Sequence, residues 1–204
     1  MKRVEKYIQH TTELFNFDRG FADKNIAGID EVGRGPLAGD VYSACVVLPE
    51  EPRLIRVDDS KKLSQSAREK IAERIKEIAI FCNIGIASVE EIDSLNILEA
   101  TKLAMQRAVQ GCTAECYLID AVTGLSLPAS SHSIISGDAK SYSIAAASIV
   151  AKVARDSYMC TLAELYPEYN FQKNKGYGTA EHILALKKYG PCPVHRKTFI
   201  RNFV

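Results

Sequence analysis

Ile26-Ala27-Gly28-Ile29-Asp30-Glu31-Val32-Gly33-Arg34-Gly35 is the stretch on which the rest of the chain hangs. It starts as a short apolar strand, ends on two adjacent acids, and passes into turn chemistry at Gly33-Arg34-Gly35-Pro36. Adjacent side chains on a strand point to opposite faces. If Asp30 faces a site, Glu31 must turn in through a bend, and Gly33 makes that bend possible.

Outward from this strand, Val41 to Leu48 is β-rich and predicts the next strand, close enough for a hairpin-like return. Ser66 followed by Glu69 is a capping-box pattern, and Ile71, Ile75 and Ile78 continue it as an amphipathic helix over 66–79. Ile80 to Ala87 predicts a third strand. Leu95 to Gln110 predicts a second helix stopped by Gly111. Cys116 to Asp120 is a buried strand ending on a carboxylate, and Ser133 to Ser136 a short fifth strand. Ile144 to Leu165 is alanine-rich and helical, closed by Pro167, and Ala180 to Tyr189 is a last helix. This order predicts an α/β domain whose first strands pair antiparallel and whose later ones need crossovers. One domain over 1–204 is expected, with an N-terminal segment to about residue 25 and a basic C-terminal extension over 167–204.

The 47% hydrophobic and 25% charged fractions are those of an ordinary globular protein. No apolar run reaches the ~20 residues of a membrane span, and no apolar signal core follows Met1, so a cytoplasmic protein is expected. The six cysteines contain no C-x-x-C. Cys112 and Cys116 have no matching second pair, so free thiols are expected and a zinc site is not. The net charge of +1 conceals an asymmetry. From Phe171 to Val204 seven Lys/Arg face one acid, Glu181, so this tail is +6 and the remainder −5. Such a tail is either a solvated surface or a phosphate-binding flank beside an acidic site.

Asp30-Glu31 and Asp120 each end an apolar strand, and ligands of open α/β sheets gather beyond the carboxyl ends of strands. If these strands are neighbours, three acids converge, and Asp138, in a turn before the alanine-rich helix, could be a fourth. Acids so close repel, and a divalent cation removes that cost. Mg²⁺ takes oxygen ligands, and two ions roughly 3.5–4 Å apart form the clamp used for phosphodiester cleavage. Each acid also has a plainer role open to it: Asp120 capping a turn, Asp138 capping the next helix. Asp156 reads as a helix-surface ion pair, with a place as fourth ligand as the alternative.

Gly28-Ile29-Asp30-Glu31-Val32-Gly33-Arg34-Gly35-Pro36-Leu37-Ala38-Gly39 resembles the first motif of type 2 ribonuclease H, the bacterial ribonuclease HII family. Asp59-Ser60-Lys61-Lys62-Leu63-Ser64 is similar to its second, and Leu118-Ile119-Asp120 to its third. Gly137-Asp138-Ala139-Lys140 with Ile144 to Asp156 is similar to its fourth, and Lys175-Gly176-Tyr177-Gly178-Thr179 and Pro193-Val194-His195-Arg196 to its last two. The resemblance implies a ribonuclease H-like mixed five-stranded sheet flanked by helices, with a helical C-terminal part. It implies catalysis and metal ligation by Asp30, Glu31, Asp120 and Asp138, with two Mg²⁺ or Mn²⁺ ions. It implies substrate contact by Gly33, Arg34 and Gly35, and packing of Tyr177 on the sugar at the RNA–DNA junction. A fork from Arg34 onto a phosphate and a point charge from Lys61 suit those roles. Arg34 favours type 2 over the type 3 relative, whose matching turn lacks it.

Three positions depart from the family pattern: Asp40 where proline is usual, Ala121 where glycine is usual, and Asn174 where histidine is common. The expected function is cleavage of the RNA strand in RNA–DNA hybrids and on the 5′ side of single ribonucleotides in duplex DNA, leaving 3′-hydroxyl and 5′-phosphate ends. The partners are then those nucleic acids, no membrane is involved, and a monomer is expected. The alternative is a non-catalytic hybrid-binding module on the same basic flank. A small-molecule phosphotransfer enzyme finds no support, since both G-x-x-x-x-G-K-[ST] and G-x-G-x-x-G are absent.

Overall fold

The computed structural model describes residues 2–21, 25–57 and 63–203, with side chains from residue 4 onward. Strands β1 (Ile26–Val32), β2 (Val41–Val47), β3 (Phe81–Ala87), β4 (Cys116–Asp120) and β5 (Ser130–Ile134) form one mixed sheet in the order β3-β2-β1-β4-β5. β1 pairs antiparallel with β2, Asp30 opposite Ala44, as the short connection predicts. β1 pairs parallel with β4, Ile29 opposite Ile119, so Asp30 and Asp120 come out at the same end of neighbouring strands. This is the mixed five-stranded sheet that the motifs imply.

Helices cover both faces: α1 (Lys2–Arg19), α2 (Gln65–Ile78), α3 (Val89–Leu95), α4 (Ile97–Ala108), α5 (Tyr142–Leu165), α6 (Phe171–Asn174), α7 (Ala180–Tyr189) and α8 (Lys197–Ile200). The alternation of β2 separates the two layers. Ala44 and Val46 pack with the alanines of α5 and with Ile75 of α2. Cys45 and Val47 pack with Met105 and Ala108 of α4, together with Ala27 and Ile29 of β1. Gly28 lies under the start of α5, where a Cβ would come within 2.0 Å of the Ser143 carbonyl carbon. The absent side chain lets α5 lie directly on β1, and it brings the polar residues of α5 to the strand that carries Asp30.

Several expectations shift. The N-terminal segment is a helix, α1, whose Asp18 accepts the backbone N–H and the hydroxyl of Ser143 at 2.8 Å each and so caps α5 from a distance. The cap of α2 is Ser64, accepting from Ala67 N, and not Ser66. The capping box sits instead at Ser88 and Glu91 and starts α3. The helix expected from Leu95 starts at Ile97 as α4, because Asn96, at φ 75, ends α3 and caps α4 by accepting from Leu98 and Glu99. β5 begins at Ser130, because its register follows Cys116 of β4 and not its own hydrophobicity. β4 and β5 are parallel, yet the connection over 121–129 holds no helix; Leu125, Leu127 and Ala129 of that connection pack on the core directly.

The C-terminal part packs on the far half of α5. Tyr169, Phe171, Leu186 and Ile200 join Met159 and Leu162 of α5 and Leu37 and Ala38 of the turn after β1 in one buried cluster. Cys45, Cys112 and Cys116 are buried, the other three cysteines are half-buried, and all six are free thiols. Among the described residues no helix is long and apolar enough to cross a membrane.

Candidate active site

Asp30, Glu31, Asp120 and Asp138 line one open cleft of about 360 Å³, with Val32, Ser148, Lys152 and Tyr177. The four acids named from the sequence are therefore brought together. Asp30 is 5% exposed and its Oδ1 accepts the backbone N–H of Glu31 at 2.7 Å. Burial pushes its carboxyl well above the usual range. Glu31 and Asp120 push it further the same way, against a hydrogen bond from Ser148. Glu31 is raised by burial, and by Asp120, against the pull of Arg34. Its Oε1 meets Arg34 Nη1 at 3.4 Å, while its Oε2 is buried without a hydrogen-bond partner. Asp120 ends β4 and accepts from Gly137 N at 2.6 Å. Asp138 is 7% exposed on the short 3-10 turn Gly137–Ala139. The cap of α5 is Ser141, so capping does not account for Asp138.

The bend falls at Gly33, where the sequence allows it, and not at Glu31 itself. Glu31 is still in the ladder, opposite Ser43, and the chain turns two residues later, at Gly33 with φ +99. A Cβ at Gly33 would come within 2.2 Å of Arg155 Nε, so this glycine serves both a left-handed backbone and a close approach.

Beneath that turn lie two buried arginines. Arg196, counted above in the basic tail, is 0% exposed and is no phosphate ligand. Its guanidinium donates to the carbonyls of Gly33, Arg34, Pro36 and Gly39 at 2.6–2.9 Å. Arg155 donates to Ala38, Asp40 and Lys175 carbonyls at 3.0–3.1 Å. With the carbonyls of Gly33 and Arg34 drawn inward, trans peptide geometry turns the N–H groups of Arg34 and Gly35 the other way. A loop fixed like this offers donors to a substrate oxygen without paying for its own reorganisation.

Tyr177 is 43% exposed at the rim, and its Cε1 lies 3.7 Å from where a Cβ of Gly35 would stand. Leu37 N donates to Gly176 O at 2.8 Å and joins the two loops. The departures from the family pattern also find places. Asp40 Oδ1 accepts from Val89 N at 3.0 Å at the start of α3. Asn174 is buried, donating to Tyr169 O and accepting from Gly176 N, so it holds the Tyr177 loop. Ala121 takes φ 47 directly after Asp120. Lys61, with Asp59, Ser60 and Lys62, lies outside the described residues.

Asp156 is a buried member of an ion pair and not a surface one. Lys152 Nζ meets its Oδ1 at 2.8 Å, and Arg68 stands 3.8 Å from Oδ2. Ser148 and Lys152, both on the cleft, were not singled out from the sequence. Their signal was a polar stripe at Ser148, Lys152 and Asp156, every fourth residue along a helix whose first half is otherwise mostly apolar.

Among the described residues, no three His, Cys, Asp or Glu side chains stand close enough to hold an ion as they lie. The donor chemistry nonetheless fits a hard divalent cation: all four acids supply oxygen, one buried carboxylate oxygen has no partner, and Asp30 is held uncomfortably by its acidic neighbours.

A family model described as Ribonuclease HII matches residues 27–202. The ribonuclease HII of Caldanaerobacter subterraneus is 50% identical over 206 residues, spanning 100% of this chain and 84% of the relative. That of Desulfitobacterium hafniense is 56% identical over 200 residues, spanning 97% of this chain and 75% of the relative. Among solved structures, ribonuclease H2 from Pyrococcus horikoshii superposes with a TM-score of 0.75 at 27% identity, covering 87% of this chain and 96% of that one. A chain of the PCNA:ribonuclease HII complex from Archaeoglobus fulgidus gives 0.74 at 27% identity, with the same coverage. The chain belongs to the ribonuclease HII family of endoribonucleases, which act on RNA–DNA hybrids.

Proposed function

We propose that this chain cuts the RNA strand of hybrids, and duplex DNA on the 5′ side of single embedded ribonucleotides, by two-metal-ion hydrolysis. The observation that carries the reading is the meeting of Asp30, Glu31, Asp120 and Asp138 around one cleft whose rim bears Tyr177. These four acids, of which Asp30 is the most buried, would hold two Mg²⁺ or Mn²⁺ ions. When bound, the ions neutralise the scissile phosphate and acidify the attacking water.

The chain's own residues do the rest. The outward N–H groups of the Gly33-Arg34-Gly35 turn suit a 2′-hydroxyl, the group that separates RNA from DNA at a given site. The Arg34 guanidinium, 3.4 Å from Glu31, suits a forked contact to a phosphate. Tyr177 offers a flat face to the sugar. Water attacks phosphorus, and the 3′-oxygen of the preceding nucleotide leaves as a hydroxyl. The ribonucleotide then keeps a 5′-phosphate. The reading includes a monomeric, cytoplasmic enzyme with Lys61 as a further phosphate contact.

The test is cleavage of a duplex with one ribonucleotide beside an all-RNA-strand hybrid, in Mg²⁺, in Mn²⁺ and in EDTA. Cuts 5′ of the ribonucleotide that vanish in EDTA support the reading. Binding without cleavage in either metal would establish the hybrid-binding module instead.

A further inference from the structure

His182 and His195 form a buried pair that the mechanism above does not use. They are 0% and 2% exposed, and their Nε2 atoms lie 3.0 Å apart. The His182 end of the pair is pinned by a backbone group of fixed polarity, and that sets the rest of the pair. His182 Nδ1 lies 2.9 Å from the Tyr177 carbonyl, which can only accept, so this nitrogen carries the proton. The Nε2 of a neutral His182 is then bare and accepts from His195 Nε2–H. That leaves His195 Nδ1 bare, to accept from the N–H of Cys192 at 3.0 Å, with Cys192 Sγ at 3.1 Å and the longer contact to Cys192 O at 3.3 Å. The chain runs one way, from Cys192 through His195 and His182 to Tyr177, and every member must be neutral for it to close.

The packing agrees. Tyr169 and Phe171 pack edge-on or tilted against both rings, with centroids 4.7 Å and 5.6 Å from His195. Burial holds His195 down to about 4 and lowers His182, the direction that favours the neutral rings this chain needs. The same segment is registered against the ribose-reading turn: Ala38 bridges His195, Arg196 N donates to Leu37 O, and Gly39 N donates to Val194 O. One short stretch therefore fixes the Gly33–Gly39 turn on one side and the Tyr177 carbonyl on the other.

We propose that His182 and His195 are positioning residues for Tyr177, setting its distance from Gly35 and so the height of the ribose subsite. The inference rests on the role of Tyr177 given above. It is tested with the full chain in Mg²⁺, on duplex DNA with one embedded ribonucleotide, with unfolding midpoints measured alongside. Loss of the hydrogen bond in His182→Leu raises KM about tenfold and changes kcat less. His182→Asn, whose amide N–H takes the Nδ1 place, restores most of that. In a Tyr177→Ala background, His182→Leu adds nothing further.

A full, additive loss in that background, or a wild-type KM for His182→Leu while Tyr177→Ala is impaired, overturns the inference alone. A Tyr177→Ala protein that cuts like wild type overturns the role of Tyr177 and the inference with it. Should His182→Leu not fold, His182→Asn against His182→Gln decides. The inference expects Asn to stay near wild type and Gln, which reaches His195 but not Tyr177, to lose; equal effects overturn it.

Discussion

The Arg196 guanidinium donates to the carbonyl of Gly33 at 2.6 Å, joining residues 163 positions apart. Burial, and after it the neighbouring Arg155, lowers the pKa of Arg196 to about 9, against the pull of Asp40 and Asp93. The charge is balanced by the dipoles of the turn it shapes. Arg196→Lys keeps a charge but not the fork. It leaves buried carbonyls at Gly33, Arg34, Pro36 or Gly39 unpaired and should cost about 2–4 kcal/mol in urea unfolding. A loss under about 1 kcal/mol would show that water replaces the guanidinium cheaply.

The pair at His182 and His195 makes stability depend on pH. His195 falls from 6.5 unfolded to about 4 folded, chiefly by burial. The unfolded state then binds more protons between those values. The contribution is therefore complete above 6.5 and lost as pH falls toward and below 4, roughly 3 kcal/mol in all. Asp18, Asp30, Glu31 and Asp40 are raised and work in the opposite direction, so the informative quantity is a difference. Denaturant stability of wild type minus His195→Gln should shrink as pH drops from 7 to 4. A constant difference would mean that His195 titrates in the folded protein as it does in the unfolded chain.

Ala121 holds φ 47 in the turn that follows Asp120. A non-glycine residue there costs roughly 1–2 kcal/mol, less the extra flexibility glycine gives the unfolded chain. Ala121→Gly should therefore raise stability by about 0.5–1 kcal/mol in the same assay, with hybrid cleavage unchanged. A destabilised variant would mean that the alanine methyl packs usefully.

The strands were legible because they follow local rules. Apolar runs ending on Asp30 and Asp120 gave both their places and the end of the sheet where acids meet, and α7 was found to the residue. Helix starts were less so: the same Ser-x-x-Glu pattern occurs at Ser66 and at Ser88, but Ser66 lies inside α2, which Ser64 caps, and only Ser88 begins a helix. β5 is polar and exposed, so nothing in its composition marks it; its neighbour β4 supplies its register. The four acids and Tyr177 could be named from motifs, but the roles of Arg155 and Arg196 could not. A charge count treats every arginine as surface, and only the fold shows carbonyls from the Gly33 turn closing around these two.

The central claim is that the four acids form a metal site built around Asp30. Without a cation, the raised carboxyl of Asp30 opposes folding at neutral pH, since its favourable protonated form is lost as pH rises. Asp30→Asn should therefore melt higher than wild type in EDTA at pH 7, and Mg²⁺ should raise the midpoint of wild type more than that of the variant. Wild type gaining no stability from Mg²⁺ would argue against a cation at these acids.

The most direct measurement is single-turnover cleavage by Asp30→Asn in Mg²⁺, with hybrid binding measured on the same preparation. The account predicts that cleavage is abolished while binding stays close to wild type, because affinity comes mainly from contacts to the phosphate backbone. Cleavage by Asp30→Asn at a rate near that of wild type would contradict it.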